Sequence, residues 1–287
     1  MIEIKNLTYI YDTQQSPALE NINLSIQPGE YVAIIGPNGG GKTTLIRQLN
    51  ALLTPTQGEV WIDGLSTGNV KNHKEIRRLV GMIFQNPDNQ IVGMTVEEDV
   101  AFGPGNLGLS PAEIQRRVDS ALAAVGLSEL GKRAPHALSG GQKQRLALAG
   151  LLAMDPKIIV LDEPTAALDT SGQTEVFRQI EKLHQQGLTI IFITQDMEEA
   201  ARADRVLVLH QGRLVADDNP AQVLTRVEWL LSLGLAPPRL VQLMCRLRES
   251  GFDIGTDVFD VERACQQIST LVTGQRQMLT DRKPREV

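Results

Sequence analysis

Hydrophobic positions along this chain follow two periods. Ile22, Leu24 and Ile26 alternate with Asn23, Ser25 and Gln27, a period of two that predicts a strand with one buried face, and the first sixty residues accordingly predict an antiparallel β layer. An apolar run at 31–35 comes next, followed by a glycine-rich turn and a helix. On that helix Leu45, Ile46, Leu49, Leu52 and Leu53 share one face until Pro55 stops it. Residues 95–154 predict mostly helix. There Ser110 supplies a cap, Pro111 suits the first turn, and Glu113 completes a capping box ahead of Ile114, Val118, Leu122 and Val125. Runs at 158–161, 189–193 and 206–209 are short, apolar and rich in β-branched residues, as strands buried on both faces of a parallel sheet should be. A helix over 171–186, ended by Gly187, joins the first two of them. Beyond Pro220 the pattern turns helical, with Val223, Leu224, Leu230 and Leu231, then Leu240, Leu243, Met244 and Leu247, then Val261, Cys265, Ile268 and Leu271. The pattern therefore predicts an α/β domain over 1–219, with a helical subdomain at 95–154, and a helical extension over 220–287. The last seven residues, 281–287, are charged and expected to fray.

Composition narrows the chemistry. A chain of 287 residues that is 42% hydrophobic can bury a large core. Its net charge of −6 argues against a general nucleic-acid binder, which needs a basic surface to release counterions from phosphates. The two cysteines, Cys245 and Cys265, lack a second pair to build a zinc site, and with no secretory signal ahead of them they point to a reducing, cytosolic compartment. No stretch approaches 18 uninterrupted apolar residues, since Pro156, Lys157 and Asp162 break the most apolar region, so a membrane role has to come through partners. His73, His136, His184 and His210 are scattered and suit surface or packing roles, and Lys71, Lys74, Arg77 and Arg78 suit a solvated helix face.

Three segments carry candidate chemistry. Gly36-Pro37-Asn38-Gly39-Gly40-Gly41-Lys42-Thr43-Thr44 fits G-x-x-x-x-G-K-S/T and lies between a predicted strand and a predicted helix. Its glycines let the backbone wrap phosphate oxygens, the helix N-terminus supplies positive potential, Lys42 reaches the β- and γ-phosphates, and Thr43 ligates Mg²⁺. At the end of the run over 158–161 stand Asp162 and Glu163, two acids at the carboxyl edge of a buried strand; Asp162 suits Mg²⁺ support and Glu163 a general base for water. In Leu138-Ser139-Gly140-Gly141-Gln142, Ser139 and Gln142 form a capping box by themselves. They leave Gly140 and Gly141 unexplained, because glycine in a first helical turn costs stability, and a helix start stripped of side chains is a phosphate site. That element is expected to face a nucleotide held by another subunit.

With these motifs in order and about a hundred residues between the phosphate loop and the Leu138–Gln142 run, the chain resembles the ATP-binding cassette (ABC) ATPases. Within them it is similar to the energy-coupling factor (ECF) transporter ATPases of prokaryotes, through Phe84-Gln85-Asn86-Pro87-Asp88-Asn89-Gln90, through Glu97-Glu98-Asp99-Val100-Ala101-Phe102-Gly103, and through the helical extension. The resemblance implies that Gln85 contacts Mg²⁺ and the attacking water, that Tyr11 stacks on adenine, and that Asp169 crosses a dimer interface. It also implies a second cassette subunit, the same or different, an energy-coupling membrane subunit gripped near 85–103, and a membrane subunit that binds a vitamin or a metal ion. The chain is then a peripheral ATPase on the cytoplasmic face of a prokaryotic membrane. One position departs from the family: a histidine that contacts the γ-phosphate is replaced by Gln195, which can donate a hydrogen bond but cannot carry charge. An alternative reading is thus a nucleotide-gated subunit that binds ATP and dimerises but hydrolyses poorly; a cassette acting on DNA or ribosomes is disfavoured by the absence of a heptad insertion and of a second cassette.

Overall fold

The structure, a computed structural model, describes residues 1–13 and 15–280, so the fraying expected at 281–287 lies outside the described residues. Strands β1 (Ile2–Tyr9) and β2 (Leu19–Ile26) pair antiparallel, β3 (Tyr31–Ile35) departs into a second sheet and leads to helix α1 (Lys42–Leu49), and β4 (Gln57–Ile62) and β5 (Leu65–Ser66) return to complete a four-stranded layer in the order β2-β1-β4-β5. Helix α2 (His73–Leu79) and strand β6 (Val80–Ile83) follow. The helical arm comprises α3 (Val96–Asn106), α4 (Pro111–Ala124) and α5 (Gly140–Leu152). Then β7 (Ile158–Asp162), α6 (Thr170–Gln185), β8 (Thr189–Ile193), the short α7 (Met197–Ala200) and β9 (Arg205–His210) alternate, and β10 (Arg213–Asp218) turns back against β9. Four more helices end the described chain: α8 (Pro220–Leu224), α9 (Val227–Ser232), α10 (Arg239–Glu249) and α11 (Val261–Thr280).

The second sheet runs β10-β9-β3-β8-β7-β6, parallel throughout except for the β9–β10 hairpin. Period two explains why its strands show no polar alternation. Val32 and Ile34 of β3 face a core shared with the antiparallel layer and α1, whereas Tyr31, Ala33 and Ile35 face a core shared with the helical arm and α6. Neighbours β3, β8, β7 and β6 therefore release their carboxyl ends side by side, where open α/β sheets bind ligands.

Local chemistry sets the boundaries. Thr95 and Glu98 form a full capping box at α3, as Ser139 and Gln142 do at α5. At α4 only half of the expected box exists: the Ser110 hydroxyl accepts the Glu113 amide, but the Glu113 carboxylate turns to Arg116 and Arg117, which hold it down at about 2. Strand β10 lacks a signal in the sequence because it is an edge strand with no fully buried residue. Its hairpin turns on Gln211 and Gly212, both at positive φ, as a two-residue type I′ turn requires.

Packing with the main core continues past Pro220. Val223, Leu224, Leu230 and Leu235 belong to the same core as the sheet, whereas Met244, Ile254, Val258 and Ala264 form a small cluster of their own, flanked by Leu240, Leu247, Ile268 and Leu271. Leu243 stays exposed, so the apolar face expected on α10 is only partly covered by α11.

Candidate active site

Phosphate-loop geometry follows from its glycines. Gly36 adopts φ 150° with a backbone oxygen, that of Leu209, 2.1 Å from where a β-carbon would stand, and Gly41 adopts φ 101° against the Ala18 carbonyl at 2.8 Å, so side chains are excluded at both. Gly40 is also tight: its β-carbon would lie 2.9 Å from the Pro37 oxygen and 3.0 Å from that of Leu209. The hairpin turn braces this segment, since the Gly212 amide donates to the Gly40 carbonyl at 3.1 Å. No side chain caps α1, leaving its N-terminal dipole open to the loop.

Lys42 is buried and donates from Nζ to the carbonyls of Gly36 (2.7 Å) and Pro37 (3.0 Å). Burial lowers its amine below the usual lysine range, against the opposing pull of the Glu163 and Asp162 carboxylates. Thr43, one residue on, donates its hydroxyl to Oδ2 of Asp162 at 3.2 Å. Burial at the end of β7 raises the Asp162 carboxyl, the Thr43 hydroxyl pulls it back, and the neighbouring Glu163 raises it further. Hydroxyl and carboxylate are oxygen donors of the kind Mg²⁺ takes, and they meet beside the loop, so the residues present fit that ion.

Glu163 stands at the centre. It adopts φ 49°, in the left-handed region, with its amide bonded to the Ile193 carbonyl. Its Oε2 accepts from Gln85 Nε2 at 2.8 Å and its Oε1 from Gln195 Nε2 at 2.6 Å, and the Gln195 amide also reaches Asn38 Oδ1 at 3.2 Å. Residues from the ends of β6, β7 and β8 thus meet at one carboxylate, with the phosphate loop after β3 tied in through Asn38. They line a cleft of about 780 Å³ together with Tyr11, Gly39, Gly40, Gly41, Lys42, Thr43 and Thr44. Tyr11 borders that cleft, half-buried, its hydroxyl 3.0 Å from Thr44 Oγ1 and its ring edge-on to Tyr9.

Ser139, Gly140, Gly141 and Gln142 lie elsewhere. They line a separate cleft of about 330 Å³ with Leu168, Asp169 and Gly172, and the two clefts share no lining residue. Close packing bears on Gly140 alone: its β-carbon would lie 3.3 Å from Leu168 Cδ2, whereas one on Gly141 would make only ordinary contact, 3.5 Å from Gly172 Cα. Asp169 caps α6, accepting the Gly172 amide at 2.9 Å, while remaining exposed. Two residues that the sequence reading left out also touch the site, Thr165 and Thr194, which flank Glu163 and Gln195; a threonine after a strand carries no distinctive signal.

A strand, a phosphate-wrapping loop with a buried lysine, an acidic pair at the end of β7 in the same sheet and a separate capped glycine helix define an ATP-binding cassette. The ABC transporter family profile matches residues 19–166, and the chain belongs to that family of ATP-binding transport ATPases. Its relatives include ATP-binding proteins of cobalt import and of energy-coupling factor transporters. A cobalt import ATP-binding protein, CbiO, of Syntrophus aciditrophicus is 51% identical over 269 residues, covering 94% of this chain and 96% of the relative. The energy-coupling factor transporter ATP-binding protein EcfA1 of Clostridium perfringens is 46% identical over 276 residues, covering 94% and 98%. Among solved structures, CbiO1 of Clostridium perfringens, described as part of the ABC transporter complex CbiONQ, superposes with a TM-score of 0.74 at 38% identity over 85% of this chain and 98% of that one. A dimeric cassette in a post-hydrolysis state with ADP and phosphate bound gives 0.69 at 34% identity over 77% and 99%.

Proposed function

We propose that this chain hydrolyses MgATP between two cassettes and thereby drives an energy-coupling importer for a vitamin or a metal ion, from the cytoplasmic face of a prokaryotic membrane. The observation that carries the reading is the Glu163 carboxylate held between the amides of Gln85 and Gln195, beside the Asp162–Thr43 pair and the phosphate loop. A carboxylate oriented by two amide donors is placed to polarise a water attacking the γ-phosphate. Thr43 and Asp162 would hold Mg²⁺, with Gln85 nearby, and the ion would neutralise charge building on the phosphates. Tyr11 would stack on the adenine ring, and Lys42 and the loop amides would take the phosphates. Gln195 stands where the resemblance implies a histidine and can donate a hydrogen bond but not carry charge, so slow turnover with retained binding is the expected consequence.

Separation of the two clefts supports a site shared in trans. Ser139, Gly140, Gly141 and Gln142 of one chain would close on the nucleotide of another, with Asp169 at the seam. A second groove, of about 350 Å³ and lined by Phe84, Gln90, Val92, Phe102 and Met154, suits a membrane partner's helix: Val92 and Phe102 are 60% and 57% exposed. Its loop is held, since Asp99 accepts the amides of Val92 and Gly93, so a push on the groove reaches Gln85 only a few residues upstream. Among the described residues no helix is long and apolar enough to cross a membrane, which leaves translocation to other subunits. The exposed Leu243 and Val261 on α10 and α11 suit contact with a second cassette.

Affinity capture of the full chain from its native membranes tests the reading. Membrane subunits should co-purify and the complex should release phosphate from MgATP; capture of ribosomal or DNA-bound material in their place would overturn it.

A further inference from the structure

Behind the Gln85–Glu163–Gln195 contacts sits a buried carboxylate that the roles above leave unused. Glu199 lies on the four-residue helix α7 and is 7% exposed. Its Oε1 accepts the hydroxyl hydrogen of Thr165 at 2.5 Å, and its Oε2 accepts that of Thr194. Thr165 follows Glu163 by two residues, and Thr194 immediately precedes Gln195. One carboxylate therefore joins the loop that carries the base to the loop that carries its amide partner.

Three observations give that junction mechanical weight. Glu163 holds a left-handed backbone, which persists only where its surroundings over-determine it. Glu163, Thr165, Thr194, Gln195 and Glu199 all border one open cavity of about 530 Å³, so packing does not fix these loops from that side and hydrogen bonds have to. Both threonines are tied further: the Thr194 hydroxyl accepts the Asp196 amide at 3.0 Å, and the Thr165 carbonyl accepts from Gln173 at 3.4 Å. Burial raises the Glu199 carboxyl and the two hydroxyls pull it back, as expected of an acid kept inside for its hydrogen bonds.

We infer that Glu199 is a positioning residue for ATP hydrolysis, holding Glu163 and Gln195 in register through Thr165 and Thr194. The inference rests on Glu163 acting as the base. Steady-state kinetics on the full chain test it. Glu199→Gln keeps the volume but accepts only one hydroxyl through its single oxygen; kcat should fall on the order of tenfold to a hundredfold while ATP affinity changes less than about twofold. Thr165→Val with Thr194→Val should reproduce the loss, and adding Glu199→Gln to that pair should cost nothing further, because the acid acts only through the two hydroxyls. Glu163→Gln serves as the control. Abolished turnover in Glu163→Gln beside a folded Glu199→Gln that hydrolyses at the parental rate would overturn the inference alone, as would equal losses of binding and turnover in Glu199→Gln. Unimpaired Glu163→Gln would overturn the base reading and this inference with it.

Discussion

The side-chain amide of Gln195 donates to Oε1 of Glu163 at 2.6 Å and to Oδ1 of Asn38 at 3.2 Å, so one residue links the base to the phosphate loop. Geometry at position 195 is therefore intact although the charge is missing. A histidine at this position could bring a protonatable donor to the transferring phosphoryl group, where single preorganised donors are worth roughly 10²–10³ in rate. Gln195→His should raise kcat about tenfold or more with little change in ATP affinity, since an imidazole N–H can keep the Glu163 contact and add charge. Phosphate-release kinetics check this; an unchanged rate would mean that position 195 does not limit turnover.

Lys42→Ala should weaken MgATP binding sharply. A charge-assisted hydrogen bond contributes about 1.5–3 kcal/mol, or roughly tenfold to a hundredfold in affinity. Removing a buried, desolvated amine should spare the fold. Titration calorimetry beside a melting curve separates the two effects, and unchanged affinity would refute the phosphate-loop assignment.

Asp162 makes a prediction with a sign in pH. Burial raises its folded pKa above the unfolded value, so between those two values the folded state binds more protons and stability falls as pH rises. The cost of the buried charge then persists to neutral pH. Asp162→Asn keeps an acceptor for Thr43 and removes the cost, so without nucleotide or metal it should melt above the parent at pH 7. The difference should vanish below about pH 4. Mg²⁺-dependent ATPase activity should be lost in the same variant. A variant that melts lower at pH 7 would contradict the burial argument.

α10 and α11 should hold two cassettes together without nucleotide, because Leu243 and Val261 remain exposed on them. Packing also says where to cut: Leu235 is the last fully buried member of the main core, so residues 1–237 keep all of its buried members and lose only the partly buried Phe259 that packs against it. Light scattering should show dimers for the full chain and monomers for 1–237, both without ATP. A monomeric full chain would defeat the idea.

How legible each part was depended on whether its cause is local. The phosphate loop could be read because glycines, a lysine and two threonines serve one local purpose between a strand and a helix, and β3, β7, β8 and β9 because burial on both faces leaves uninterrupted apolar runs. Helical periodicity after Pro220 showed which faces want burial but not against what, so the membership of Val223, Leu224 and Leu230 in the main core could not be seen. Edge strand β10 and the four-residue α7 are too exposed or too short to leave a pattern. Glu199 was invisible for a stronger reason: its meaning comes from two threonines 34 and 5 residues away, a relation that only the fold creates.

Sharing of one ATP between two chains is the central claim, and the 1–237 chain carrying Glu163→Gln tests it most directly, because the base is removed while the phosphate loop and the Ser139 helix remain. Light scattering with and without saturating MgATP should show a mass that doubles on adding nucleotide, with no phosphate released, and Ser139→Arg in the same chain should bind ATP as before yet stay monomeric. A chain that binds MgATP and remains monomeric with Ser139 intact would contradict the account.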